Sequence, residues 1–335
     1  MTWLLTGGAG YIGGHIAHAL KDAGLGVVVL DDLSSGLPSR VPEGVPLVST
    51  SVLDADRVSA ALREHRVTGV VHLAAKKAAG ESVEQPLRYY RENVTGFERL
   101  LTAMGQAGVG RIVFSSSAAV YGSPDTELVT EESPTVPVSP YGESKLIGEW
   151  LLRDLARAAG LSWVSLRYFN VAGAGAPHLG DTGVFNLIPM VFQALARGER
   201  PKVFGDDYST PDGSCVRDYI DVVDLADAHL AAARRLEGAG PVGEVYNVGR
   251  GEGVSVKEVL EVVRRVTGNP FPHDVVARRP GDPARIVASA EKIGRDLGWH
   301  ARRDLEEMVA SAWQAWQARQ SEQQQKPQGV SVPAG

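Results

Sequence analysis

Cysteine is nearly absent: of 335 residues only Cys215 is one. A single thiol excludes an intrachain disulfide and a cysteine-built zinc site, which suits a reducing compartment. Cys215 itself reads as a small core side chain rather than a nucleophile. Excess positive charge is also missing, with 34 Lys and Arg against 40 Asp and Glu and a formal charge of −6. Nothing in that balance calls for a nucleic acid as partner, although a small anion held by a few local cations stays open. No run of 18 apolar residues occurs, and the opening Met1-Thr2-Trp3-Leu4-Leu5-Thr6-Gly7 lacks a basic segment followed by a long apolar one. These absences give the expectation of a soluble, unexported, cytoplasmic protein that needs no metal.

Glycine is what the chain has in excess, 38 residues where average usage gives roughly 23. No triplet repeat or Pro/Gly-dominated stretch absorbs them, so tight turns beside a ligand are the expected place. Short apolar runs at Trp3 to Thr6, Gly26 to Leu30, Pro46 to Ser49, Gly69 to Leu73, Arg111 to Ser115 and Trp163 to Arg167 predict strands. Helical spacing separates them, as in Ile12, Ile16, Ala19, Leu20 and Ala23. Strands apolar on both faces and alternating with helices predict an α/β fold, a Rossmann-type doubly wound parallel sheet. The alternation breaks near Gly173, which predicts a smaller mixed α/β substrate lobe. The expected division is 1–170 for the dinucleotide-binding part, with 216–250 returning to it, 171–215 and 251–320 for the lobe, and 321–335 for a polar, flexible tail.

Three local patterns carry chemistry. Thr6-Gly7-Gly8-Ala9-Gly10-Tyr11-Ile12-Gly13 lies between the first strand and the first helix. Its glycines allow a tight turn and close approach to a pyrophosphate, and the helix N-terminus offers N–H groups to that anion. Asp31 ends the second strand 18 residues after Gly13, where a carboxylate binds both ribose hydroxyls and repels a 2′-phosphate, favouring NAD over NADP. The second pattern is Tyr141-Gly142-Glu143-Ser144-Lys145 after Ser139-Pro140. Ser139 reads as an N-cap and Pro140 as the first helical residue, so Tyr141 and Lys145 share a helix face one turn apart. A neighbouring ammonium favours tyrosinate, so the expectation is a Tyr general base of lowered pKa. The third is Ser115-Ser116-Ser117 at the C-terminal end of a strand, where ligands gather in open α/β sheets.

GGAGYIG, the serine run ending in VYG, YGESK, LRYFNVAGA, FGDDY, CVRDYI and RRPGDPA occur in this order from Thr2 to about Trp316. Together they resemble the extended short-chain dehydrogenase/reductase family, and within it the nucleotide-sugar 4-epimerases. The resemblance implies NAD as cofactor, a UDP-sugar as substrate and a homodimer. It implies NAD contacts at Gly7, Gly10, Tyr11, Ile12, Gly13, Asp31, Asp32, Leu33, Ser34, Ser35, Gly36, Leu73, Ala74, Ala75, Lys76, Lys77, Asn93, Ser117, Tyr141, Lys145 and Phe169. Substrate contacts are implied at Ser117, Tyr141, Asn170, Asn186, Leu187, Lys202, Val203, Phe204, Arg217, Tyr219, Arg279, Asp282 and Ile286. Tyr141, Ser117 and Lys145 would be catalytic, and the reaction would interconvert UDP-glucose and UDP-galactose by oxidation at C4, rotation of the keto sugar and hydride return.

Several positions depart from the family pattern. Ser51, followed by Val52, replaces an Asp near the adenine, which implies an altered contact. Asp221 stands where His is common, and Ile286 holds a position that gates an N-acyl group. Ala118 and Ala119 follow Ser117 where sugar dehydratases carry proton-transferring acids, which favours epimerisation over elimination. The alternatives are another NAD-dependent nucleotide-sugar enzyme, acting on an N-acetylhexosamine, pentose or uronate, and a non-catalytic NAD-binding regulator; retention of Ser117, Tyr141 and Lys145 together argues against the latter.

Overall fold

The computed structural model describes residues 1–238, 240–279 and 281–325. Pro280, inside the RRPGD run, and residues 326–335 of the expected tail lie outside the described residues.

The strands are β1 (Thr2–Thr6), β2 (Gly26–Asp31), β3 (Leu47–Ser49), β4 (Gly69–His72), β5 (Arg111–Ser115), β6 (Ser162–Tyr168), β7 (Asn170–Ala172), β8 (Lys202–Phe204), β9 (Val216–Asp221), β10 (Gly243–Val248), β11 (Gly253–Ser255), β12 (Asp274–Val276) and β13 (Arg285–Ile286). The helices are α1 (Tyr11–Asp22), α2 (Ala55–Glu64), α3 (Ala79–Glu84), α4 (Pro86–Tyr89), α5 (Gly96–Ala107), α6 (Pro140–Ala159), α7 (Leu187–Ala196), α8 (Val222–Glu237), α9 (Val256–Thr267), α10 (Glu291–Leu297) and α11 (Leu305–Gln325).

Seven parallel strands form the main sheet in the order β10-β6-β5-β4-β1-β2-β3. Both faces are covered, which is why Leu4, Leu5, Val70, Val71, Ile112 and Val113 are all fully buried. One apolar cluster joins alternate strand residues to α1 and α8; the opposite face packs on α2 and α5. Strand order reverses between β1 and β4, the place where an open α/β sheet leaves a crevice beyond its strand ends.

The smaller lobe has β9 between an antiparallel β11 and a parallel β13, with β7 paired in parallel to the later residues of β9, plus a parallel β8–β12 pair. A third apolar cluster packs α7, α9 and α11 together through Phe192, Val263, Met308 and Trp316. The expected return to the main sheet from residue 216 begins later. β9 belongs to the lobe, whereas α8 and β10 rejoin the sheet, because Val216–Asp221 finds partners on both edges within the lobe. Residues 321–325 complete the last turn of α11 rather than beginning a tail.

Candidate active site

The loop between β1 and α1 is built for close backbone approach. Gly7 has φ +72, and a Cβ on Gly13 would lie 2.2 Å from Gly7 O. Gly10 caps α1 without a side chain, so the first helical N–H groups stay free to meet an anion. Beyond it Asp31 is buried; its Oδ2 accepts from Ala9 N at 3.0 Å and its Oδ1 from Leu33 N at 2.8 Å. Two acceptor positions remain on that carboxylate, enough for a diol. Burial pushes its pKa up, against the two N–H groups that hold it down.

A cavity of about 530 Å³ starts at this loop and passes Asp31, Asp32, Ser34, Ser35, Ser51 and Val52. It follows Leu73 to Lys77 and ends on Tyr141, Lys145 and Tyr168. A second cavity of about 460 Å³ lies in the lobe, against Asn170, Asn186, Leu187, Lys202, Val203, Phe204, Arg217, Tyr219, Arg279 and Asp282. Phe185 lines both. Shape and lining fit a dinucleotide in the first, with the Asp31 carboxylate at one end and a buried Tyr–Lys pair at the other. The second is lined by four cations, of which Arg200 is paired with Asp274 at 3.3 Å and Lys202, Arg217 and Arg279 are the ones suited to a diphosphate. Arg217 is braced by Asp282 at 2.5 Å and by Val216 O at 2.8 Å, and Arg279 lies 3.8 Å over the Phe204 ring. Burial pushes the Tyr219 phenol up to about 12, against the Arg217 guanidinium, which lowers it.

α6 begins as its sequence predicts, with Ser139 Oγ accepting from Gly142 N at 3.2 Å and Pro140 in the first turn. Tyr141 and Lys145 therefore face one way. Lys145 Nζ donates to Ser115 O at 2.8 Å and lies 6.0 Å from the Tyr141 ring centre. The lowered phenol pKa expected from this pair is not what the protein residues produce. Burial pushes Tyr141 above its ordinary value, opposed by a hydrogen bond with Ser117, while burial pulls Lys145 down to about 8. Desolvation outweighs a lysine whose proton is shared with a backbone carbonyl. Ser117 caps the turn Ala118–Tyr121 by accepting from Ala119 N at 3.1 Å.

Some residues expected at the ligand do not line either cavity. Asn93, on a π-turn (Tyr90–Thr95), accepts from Lys76 N at 2.8 Å and donates to Lys76 O and Ser144 Oγ, both at 3.0 Å. It fastens the cavity wall to α6 with its amide already occupied. Leu33 adopts φ +59 and gives its N–H to Asp31. Gly36 packs so closely on Asp31 that a Cβ would lie 2.7 Å from Oδ1. Phe169 and Ile286 are buried together with Ala118, Val120 and Leu146, outside both cavities. Tyr168, the last residue of β6, lines the first cavity, whereas the Phe169 that follows it lies between β6 and β7.

The sequence reading missed Tyr168, Arg40 and the segment Asp181 to Phe185. Arg40 Nη2 donates to Gly180 O at 2.6 Å and Thr182 Oγ1 at 3.2 Å, tying the nucleotide side to the lobe. Only the short Gly180–Gly183 spacing hinted at a turn there. Among the described residues no cluster of three His, Cys, Asp or Glu could hold a metal ion, and no helix is long and apolar enough to cross a membrane.

The model of the NAD dependent epimerase/dehydratase family matches residues 3–249. The chain belongs to this family. Among curated members it is 48% identical over 318 residues to a UDP-glucose 4-epimerase of Azospirillum brasilense, covering 92% of this chain and 90% of that protein. Another, from Corynebacterium glutamicum, is 45% identical over 318 residues, covering 93% and 95%. The UDP-glucose 4-epimerase of Stenotrophomonas maltophila, solved with NAD and formylated UDP-arabinopyranose, superposes with a TM-score of 0.93 at 40% identity over 96% of this chain and 99% of that one. That of Bifidobacterium longum, solved with NAD⁺ and UDP, gives 0.89 at 39% identity, covering 96% and 99%.

Proposed function

We infer that this member of the epimerase/dehydratase family is an NAD-dependent UDP-glucose 4-epimerase, interconverting UDP-glucose and UDP-galactose. The observation that carries the reading is the buried Tyr141–Lys145 pair at the end of one cavity, beside Ser117 and next to a cationic lobe cavity. Four epimerase relatives in the same range of identity, two of them solved with NAD and UDP-type ligands, support it.

Bound in the first cavity, NAD⁺ would supply a reversible hydride acceptor for C4 and positive charge beside the phenol. The chain's residues do the rest. The glycine loop and the α1 N-terminus hold the pyrophosphate, and Asp31 holds the adenosine ribose. Ser117 orients the sugar 4-hydroxyl, and Tyr141 takes its proton and later gives it back. Lys145 keeps a positive charge near that phenol. Arg217, Lys202 and Arg279 grip the diphosphate. The residues assigned to the substrate converge on the nucleotide and diphosphate, which leaves the hexose free to turn its other face before the hydride returns. Ala118 and Ala119 carry no proton, so elimination lacks its acid.

A homodimer is the assembly we assign. Leu87 on α4 is 82% exposed and Val83 on α3 64%; both helices pack on α6, whose Trp150 is 46% exposed. The compartment we assign is the cytoplasm, in keeping with one free, buried Cys215.

Purified protein incubated with UDP-galactose without added cofactor, then resolved by NMR, should yield UDP-glucose. No product with or without added NAD⁺ refutes the activity.

A further inference from the structure

One turn of α6 beyond Lys145 the Glu149 carboxylate is buried. It accepts from Ser116 Oγ at 2.6 Å, and from Arg167 Nε at 2.9 Å and Nη2 at 2.6 Å. Arg167 Nη1 donates to the Tyr121 hydroxyl at 2.9 Å, and that hydroxyl donates to Asn247 Oδ1 at 2.7 Å. Asn247 in turn holds Val129 O and the Glu131 carboxylate. The chain of bonds joins the helix bearing Tyr141 and Lys145, the residue before Ser117, the turn that follows it, and β10. None of its side chains lines either cavity. A buried ion pair contributes little net stability compared with apolar packing of equal volume, so stability alone does not account for this one.

We propose that Glu149 is a positioning residue for the reaction inferred above: clamped by Arg167, it fixes Ser117 through Ser116 and supplies the negative charge that keeps Lys145 an ammonium beside Tyr141. This rests on the epimerase reading. The other groups around Lys145 cannot supply that charge. On its own helix Tyr141 is a phenol raised by burial. On β4, His72 is stacked on Phe97, bonded to Thr6, and held far below its ordinary pKa. On β6, burial raises Tyr168, and Arg167 is turned onto Glu149. On α8, His229 is pulled down to about 4 and reaches Lys145 only through Ser115. Burial drives Lys145 toward neutrality, and Glu149 is the group that opposes it.

The test is Glu149→Gln in the full-length holoenzyme. Turnover of UDP-galactose is followed across the alkaline range, and acetylation of Lys145 by acetic anhydride is measured against pH by peptide mass spectrometry. Near pH 8, kcat should fall about tenfold, less than the roughly 10²–10⁴ that loss of the acid–base group itself costs, while KM changes less than about twofold. The alkaline limb of kcat and the midpoint of Lys145 labelling should both move to lower pH. A uniform loss at every pH with an unmoved labelling midpoint overturns the proposal. If Glu149→Gln does not fold, the double variant Glu149→Met/Arg167→Met replaces the pair by apolar volume. It must show the same displaced limb, and a wild-type profile in it is equally fatal. Wild-type protein that leaves UDP-galactose unchanged sinks the epimerase reading instead, and the labelling profiles then decide the action of Glu149 on Lys145 without turnover.

Discussion

Replacing Gly13 by Ala would test whether the glycine loop is a ligand cradle or an ordinary turn. The added Cβ would stand 2.2 Å from Gly7 O and 2.7 Å from Gly8 Cα. Both obstacles are backbone, so neither can rotate away, and relief requires α1 to move off β1 by about 1 Å to regain van der Waals distance. Overpacking of this kind costs roughly 1–3 kcal/mol, and a backbone clash belongs at the upper end. At about 2 °C per kcal/mol for a chain of this size, Tm should fall by ~5 °C. The same displacement carries the α1 N-terminus away from the pyrophosphate, so copurifying NAD should fall much more than stability does. Gly105→Ala is the control: it lies in α5 with open space around its Cβ, and it should stabilise by roughly 0.5–1 kcal/mol. The assay is NAD released on denaturation, measured by enzymatic cycling, together with a thermal melt. Full NAD content in Gly13→Ala would falsify the cradle.

Tyr141→Phe should retain NAD and lose at least about 10²-fold in kcat, since only the proton carrier is removed; a near-normal rate in a coupled assay rules Tyr141 out as the base. Arg217→Met should raise KM for UDP-galactose by about tenfold or more through loss of a paired donor and a stranded Asp282; unchanged KM means that the diphosphate binds elsewhere. Asp221 is raised by burial from 3.8 to about 6. Its contribution to stability is therefore present below about pH 4 and lost as pH rises through 6, a change of at most about 3 kcal/mol. Asp221→Asn keeps an N-cap acceptor for Val223 N and should flatten urea stability over that window; an unaltered slope counts against it. Leu87→Glu with Trp150→Glu should convert a dimer to monomers in sedimentation velocity, and a monomeric wild type removes the assigned assembly.

Local rules made part of this protein legible from its residues. The Ser139 cap, Pro140 and the four-residue interval from Tyr141 to Lys145 fix a shared helix face whatever surrounds it. Glycines 7, 10 and 13 between an apolar strand and an apolar-faced helix define an anion-binding turn in the same way. Strands buried on both faces could be read because sidedness is a property of each run. The sequence left unread what depends on distant pairing. Nothing near Asn93 in sequence shows that Lys76 and Ser144 are the partners of its amide. Arg40 reaches Gly180 across 140 residues of chain, and Phe185 lines both cavities. The state of Tyr141 depends on distant packing in the same way. Helical spacing puts a charge beside the phenol, but desolvation is set by everything packed around it, and Glu149, Arg167, Ser116 and Tyr121 meet only when β5, β6 and α6 have assembled. A backbone interval determines which side chains point together; only the closed tertiary structure decides how much water they lose, and with it their charge.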